Sequence, residues 1–309
     1  MATESVVAVP GLSCVQGERI GNTTALFAYW ALTKPEITFL IAITTGAGFW
    51  TGAAMALPQF PWMALLQSVL GTAFVASGAA TLNQLIELPY DARMRRTARR
   101  PLASGRVPPS HALWFGVVLS VVGVACLAIW TNALAALVAV LTLLSYLFLY
   151  TPLKRITPLC TLVGAIPGAA PPLIGWAAAR GRLDPDAWVL FAIVFLWQFP
   201  HFMPIAWIYR EDYARAGYLV LPPGPNRIRL VMWQAVAASA VLLVVVLIPT
   251  MSRLSGFTYF GGTLALGALL LAFSVRFAMQ PTNVAARRLL FVSVLYLPAV
   301  FALLVLDKT

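Results

Sequence analysis

Nine apolar stretches, each near the roughly 20 residues that an α-helix needs to cross a bilayer, lie at about residues 37–57, 62–86, 110–130, 133–150, 158–178, 187–208, 229–250, 256–278 and 289–306. Charge, Pro or Gly bounds each of them. In lipid every backbone N–H and C=O must be satisfied internally, so the pattern predicts an all-α, polytopic bundle of nine transmembrane helices. Composition agrees: 61% of the 309 residues are hydrophobic and 10% charged, against about 45–50% and 25% in a soluble domain. A soluble globular protein is excluded, and so is a disordered one, which would be poor in aliphatic and aromatic residues. Residues 1–35 read as a cytoplasmic N-terminal tail and 36–309 as a single transmembrane domain. The tail lacks the basic start, apolar run and small-residue cleavage site of a signal peptide.

A net charge of +11 would suggest nucleic acid in a soluble chain, but here the basic residues sort by side of the membrane. Arg19, Lys34, the six arginines from Arg93 to Arg106, Lys154, Arg155, Arg210, Arg215, Arg227, Arg229, Arg276, Arg287 and Arg288 fall on one side, 17 of the 21 Lys and Arg. Arg180, Arg182, Arg253 and Lys308 fall on the other. Basic loops stay inside, so the N-terminus is expected in the cytoplasm and the C-terminus outside, with no nucleic-acid partner. Cys14, Cys126 and Cys160 have no metal-ligand or redox spacing and read as structural. Trp30, Trp50, Trp62, Trp176 and Trp188 fall near span ends, as an interfacial belt would place them.

The chemistry-bearing residues gather at the basic ends of the spans. Asn83, Glu87 and Asp91 recur at four-residue intervals, which keeps side chains on one face of a helix. Pro89, lying between the two acids, is expected to kink or end that helix. Carboxylate and amide oxygens suit Mg²⁺, which is commonly held by one or two carboxylates plus substrate phosphates. Arg93, Arg95, Arg96, Arg99 and Arg100 follow at once, and metal ligands beside arginines point to a diphosphate. A second cluster, Arg210-Glu211-Asp212-Tyr213, follows the sixth span after Gln198-Phe-Pro-His201-Phe202. Two acid-plus-Arg sites above an oily interior fit an amphiphile with an anionic head and a hydrocarbon tail, such as an isoprenyl diphosphate. Of the two histidines, His111, beside Pro108-Pro109, reads as structural, and His201 lies within the Gln198-to-Phe202 segment at the end of the sixth span.

Five ordered motifs carry a resemblance to a known family. These are Asn83-xxx-Glu87-xxx-Asp91-xx-Met94-x-Arg96-Thr97-xx-Arg100-Pro101-Leu102, Tyr150-Thr-Pro-Leu-Lys154-Arg155-xx-Pro158, Gly164-Ala-Ile-Pro-Gly168-Ala-Ala-Pro171-Pro172-Leu-Ile-Gly175-Trp176, Gln198-Phe-Pro200-His201-Phe202 and Asp212-Tyr213-xx-Ala216-Gly217. Together, over about residues 30–305, they resemble the protohaem IX farnesyltransferase (haem O synthase) branch of the UbiA intramembrane prenyltransferase superfamily. The resemblance implies transfer of farnesyl from farnesyl diphosphate to the vinyl group of haem b, giving haem O and diphosphate, with Mg²⁺ as metal. It implies catalytic roles for Asn83, Glu87, Asp91 and Asp212, metal ligation by Glu87, Asp91, Asp212 and Glu211, and diphosphate binding by Arg96, Arg100, Lys154 and Arg155, and it makes His201, in its fourth motif, a candidate haem contact, since haem is often held by an axial His. It also implies a bacterial cytoplasmic (inner) membrane location and a haem A synthase or terminal oxidase assembly partner. Departures from the pattern are Glu87 where many members carry Asp, Pro89, and Cys160 where Asn is common. The alternatives are a UbiA-type enzyme for another aromatic or tetrapyrrole acceptor, and a transporter; a transporter would place its ionisable groups nearer the midplane.

Overall fold

The computed structural model describes residues 22–54, 59–222 and 224–307; Cys14, Arg19, Lys308 and the Arg227 side chain lie outside the described set. A short helix, α1 (Asn22–Leu32), leads into α2 (Pro35–Ala54), α3 (Trp62–Ile86), α4 (Pro109–Trp130), α5 (Ala133–Leu153), α6 (Cys160–Arg180) and α7 (Pro185–Ile208). A seven-residue helix, α8 (Arg210–Ala216), precedes α9 (Ile228–Met251), α10 (Phe257–Met279) and α11 (Asn283–Leu306). Among the described residues nine of these helices are long and apolar enough to cross a membrane, and there is no strand.

Helix starts follow local chemistry. Pro stands in the first turn of α4 and α7, where its missing N–H has no intrahelical partner to lose. The Asn132 side chain caps α5 by accepting from Ala135 N at 2.9 Å, and Thr282 caps α11 by accepting from Ala285 N at 3.1 Å. That second cap explains why α11 begins six residues before the apolar stretch at 289: the helix starts outside the hydrocarbon and carries Arg287 and Arg288 on its first turns. Pro171 and Pro172 break α6 at Ala170. In α5, residues Ser145–Tyr150 form a π-helical turn, a wider turn that re-aims the side chains it carries.

Small residues set the packing. Gly48 of α2 meets the Pro172 backbone, Gly175 of α6 meets the Thr45 and Phe49 backbone, and Gly71, Gly78, Gly116 and Gly123 lie between α3 and α4. Close approach of this kind lets helices associate in lipid, where burial of apolar surface gives little drive. Contacts run in order around the bundle, α2 to α3, α4, α5, α6, α7, α9, α10 and α11, and α11 returns to α2. Residues 22–32, read from sequence as part of the tail, form α1: Ala28 and Leu32 pack against Leu102, Val107 and Ala112, while Leu26, Phe27 and Trp30 stay exposed. His111 at the start of α4 meets the Tyr29 hydroxyl at 3.2 Å.

The basic ends of the helices are tied together by their loops. Leu219 N donates to Lys154 O at 2.8 Å, and Arg96 N donates to Asp212 Oδ2 at 3.1 Å. On the opposite face Asp184 accepts from Trp176 Nε1 at 3.2 Å and pairs with Arg180 and Arg182. Trp176 is therefore fully buried core, not the belt residue its position at a span end suggests; Trp30, Trp62 and Trp188 are exposed.

Candidate active site

The site grows from the end of α3. Pro89 has no N–H to continue the helix, which stops at Ile86, turns at Glu87 and resumes for one turn at Leu88–Asp91. The interruption is shallow, since Glu87 N still donates to Asn83 O at 2.9 Å and Asp91 N to Glu87 O at 2.8 Å. Asn83, Glu87 and Asp91 therefore remain neighbours on one side, and all three are buried. The expected kink occurs without dispersing the motif.

Basic groups from three other segments meet them. Lys154 Nζ pairs with Glu87 Oε1 at 2.6 Å and sits 4.3 Å above the Tyr150 ring. Arg100 Nη1 pairs with Asp91 Oδ2 at 2.6 Å. Asn83 donates to Thr151 Oγ1 at 3.1 Å and accepts from Tyr146 OH at 3.3 Å and Lys34 Nζ at 3.4 Å. Tyr150 and Tyr146, about one and two turns before Lys154, are aimed here by the π-turn, with ring centroids 5.4 Å apart. Gly164 leaves room for the Tyr150 ring.

Lys34 is the residue that sequence reading left among the topological anchors. It links α1 to α2 with φ at 47°, in the left-handed region that a non-glycine residue enters only at a cost. Glycine would make that turn freely, so the strain is tolerated for the side chain, whose ammonium enters the nest and finds only an amide oxygen. Burial, with Arg100 and Lys154 adding repulsion that Glu87 and Asp91 only partly offset, lowers its pKa to about 7. Burial alone would raise Glu87, but Lys154, with Lys34 and Arg100 behind it, holds it below the usual carboxylate range. At Asp91 burial outweighs Arg100, and Glu87 adds to it, so this carboxyl lies above its ordinary value. The nest thus sets Arg100 and Lys154, joined below about pH 7 by a charged Lys34, against two carboxylates. Asp91 Oδ1 and the Tyr218 hydroxyl, both buried, have no hydrogen-bond partner.

The remaining candidates are dispersed. Asp212 is buried, but Oδ2 accepts from Arg96 N and Oδ1 pairs with Arg215 of its own helix at 3.1 Å, so both oxygens are engaged, one of them in holding the Arg96 segment. Glu211 is exposed, with Arg210 at 3.9 Å. The two residues of the Lys154-Arg155 pair part company: Lys154 turns inward, whereas Arg155 is exposed and stacks on Tyr90, 4.8 Å from the ring centre, bonding to its hydroxyl. Arg96 lies over Tyr209 at 4.7 Å and Tyr213 at 5.9 Å. His201 faces α11: its ring stacks on Trp197 at 4.6 Å and Nδ1 meets Ser293 Oγ at 3.0 Å. Ser293 spends its own proton on Leu290 O, at 2.7 Å, so it accepts from Nδ1–H and leaves Nε2 as the nitrogen with a lone pair.

Among the described residues no group of three or more His, Cys, Asp or Glu side chains is placed to hold a metal unaided. Two adjacent carboxylates, one with an orphaned buried oxygen, nevertheless fit a hard divalent cation that completes its shell on water and a ligand's phosphate. A nest of this charge, at the polar end of an oily helix bundle, defines an intramembrane site for an anionic-headed amphiphile. The model of the UbiA prenyltransferase family matches residues 40–295, and the chain belongs to that family. It is 49% identical over 286 residues to a protein of Solibacter usitatus named protoheme IX farnesyltransferase, covering 91% of this chain and 98% of that one. The protein of the same name in Koribacter versatilis is 44% identical over 301 residues, covering 94% and 96%. Among solved structures, digeranylgeranylglyceryl phosphate synthase shares the fold with a TM-score of 0.74 at 16% identity, covering 92% of this chain and 98% of its own. A UbiA homologue from Archaeoglobus fulgidus bound to DMAPP and Mg²⁺ has a TM-score of 0.60 at 16% identity, covering 90% and 99%.

Proposed function

We propose that this protein transfers the farnesyl group of farnesyl diphosphate to a vinyl group of haem b, producing haem O and diphosphate in the bacterial cytoplasmic membrane. The observation that carries the donor half is the buried excess of positive charge: Lys34, Arg100 and Lys154 face only Glu87 and Asp91. A buried cation without a counter-charge is costly unless an anion joins it, and a diphosphate head fills that need. The acceptor half is supported by the relatives' names at 49% and 44% identity.

In this reading Lys34, Arg100 and Lys154 grip the diphosphate and stabilise the negative charge it gains when the C1–O bond of the farnesyl breaks and the electron pair leaves with oxygen. Glu87 and Asp91 would hold Mg²⁺, which would supply further positive charge to the same leaving group. Asn83, fixed by Thr151 and Tyr146, orients Lys34. The Tyr146 and Tyr150 rings border the inner side of the nest and keep water from a developing allylic cation. The vinyl π-electrons then bond to C1, and water adds to the resulting cation and loses a proton, which completes the hydroxyethylfarnesyl group. Asp212 positions the segment carrying Arg96. His201 presents Nε2 to the haem, with Ser293 holding its tautomer in the manner of an outer-shell partner. The test is direct: membranes carrying the protein, given haem b, farnesyl diphosphate and Mg²⁺, should yield haem O by mass spectrometry. Haem b returned unchanged, from membranes in which the protein is folded, would refute it.

A further inference from the structure

Outside the nest, on the same face, three tyrosines form a connected strip. Tyr90 and Tyr218 have ring centroids 5.6 Å apart, and Tyr218 and Tyr213 lie 6.2 Å apart at 64°, packed around Met94 and Ala216. An exposed arginine sits at each end, Arg155 over Tyr90 and Arg96 over Tyr213 and Tyr209. Neither guanidinium has a carboxylate partner, although every buried acid on this face is bonded: Glu87 to Lys154, Asp91 to Arg100, and Asp212 to Arg215 and to the Arg96 backbone. Arg155 donates one N–H to the Tyr90 hydroxyl and Arg96 Nη2 donates to the Tyr213 hydroxyl at 3.4 Å, so each guanidinium is held in place by one nitrogen and keeps its other N–H groups for a carboxylate. Topological anchoring accounts for the charge of these arginines but not for their being held against the rings at both ends of the strip.

Resting on the haem reading above, we propose that Arg96 and Arg155 bind the two propionate carboxylates of the acceptor. The tyrosine strip lies between them under the acceptor's anionic edge, so that the opposite, vinyl-bearing edge is directed toward the nest. The strip then selects a dicarboxylate tetrapyrrole over a neutral one and fixes which end of the ring enters. The test compares haem b with its dimethyl ester, by Soret titration of the purified full-length protein. The wild type should bind the free diacid about 10- to 100-fold more tightly than the ester, the range expected for two charge-assisted pairs at a partly exposed site. Arg96→Gln with Arg155→Gln should remove that preference and leave ester binding and the affinity for a non-hydrolysable farnesyl diphosphate analogue within about twofold of wild type. Loss of analogue affinity with haem affinity kept would overturn the proposal and return these arginines to the diphosphate. Unchanged haem affinity with weakened retention on vesicles containing anionic lipid would overturn it in favour of headgroup contact. Equal affinity of the wild type for diacid and ester overturns this proposal alone, whereas no Soret response to either overturns the acceptor reading with it.

Discussion

At the residue scale the nest is an electrostatic balance, and each member has a separable role. Asp91→Asn keeps the shape and removes the charge beside the orphaned oxygen; turnover should fall at least about 10²-fold, the scale of losing one preorganised electrostatic stabiliser, with membrane insertion unchanged. Asp212→Asn retains one acceptor oxygen for Arg96 N, so the expected loss is under about tenfold; a loss as deep as that of Asp91→Asn would make Asp212 a metal ligand instead. Lys34→Met should weaken a farnesyl diphosphate analogue by about 10- to 150-fold, equivalent to about 1.5–3 kcal/mol for a charge-assisted contact. Its pH dependence has a definite sign. With a pKa of about 7 in the free protein, Lys34 carries its charge below that pH and loses it above, in the field of Arg100, Lys154, Glu87 and Asp91. Analogue affinity should therefore be highest below pH 7 and fall as the pH rises through 7. Lys34→Arg, charged throughout, should flatten the profile when the two proteins are titrated in parallel from pH 6 to 9. His201→Ala should weaken haem binding or shift its Soret band and spare analogue binding; an unchanged haem titration would reduce His201 to packing between α7 and α11.

At the element scale much was legible because membrane helices obey a length rule that a single sequence exposes. Eight of the nine spans start within two residues of the apolar stretches that announce them, and α11 starts early because a capped helix can carry Arg287 and Arg288 outside the hydrocarbon. The acidic half of the site was legible for a related reason: Asn83, Glu87, Asp91 and Arg100 are close in sequence as well as in space. Lys34 was not, since one lysine at a span end reads as an anchor, and only the meeting of the α1–α2 turn with α3 and α5 gives it another role. The tyrosine strip joins residues from separate loops and leaves no periodic trace. What length alone does not announce is how tightly α2 and α6 approach. A methyl group at Gly175 would run into the Thr45 carbonyl and the Phe49 N–H, both backbone and unable to yield cheaply. Gly175→Ala should therefore destabilise the bundle by about 1–3 kcal/mol, the usual cost of overpacking, and lower the midpoint of thermal unfolding in detergent. Gly261→Ala in α10, where nothing stands in the way, should leave that midpoint where it is.

At the scale of the whole molecule, charge and chemistry occupy the same face. Lys34, Arg100 and Lys154 serve the nest, Arg96 and Arg155 flank it, and Arg276, Arg287 and Arg288 lie at the corresponding ends of α10 and α11. By the positive-inside rule we expect this face, and the site with it, at the cytoplasmic surface, where a diphosphate can reach it without crossing the bilayer. Nine crossings among the described residues would put Pro35 and Leu306 on opposite sides, and α11 runs from the basic face to the face that holds Asp184. A reporter fused after residue 309 should therefore register as extracytoplasmic, and one inserted beside the exposed Arg99 as cytoplasmic. The two fusions are read together because each controls for the other: a molecule inserted upside down would reverse both signals, whereas a missing span would change only one. A cytoplasmic signal from both would mean that one of the nine helices does not cross, and it would detach the basic-face site from the orientation on which delivery of its substrates depends.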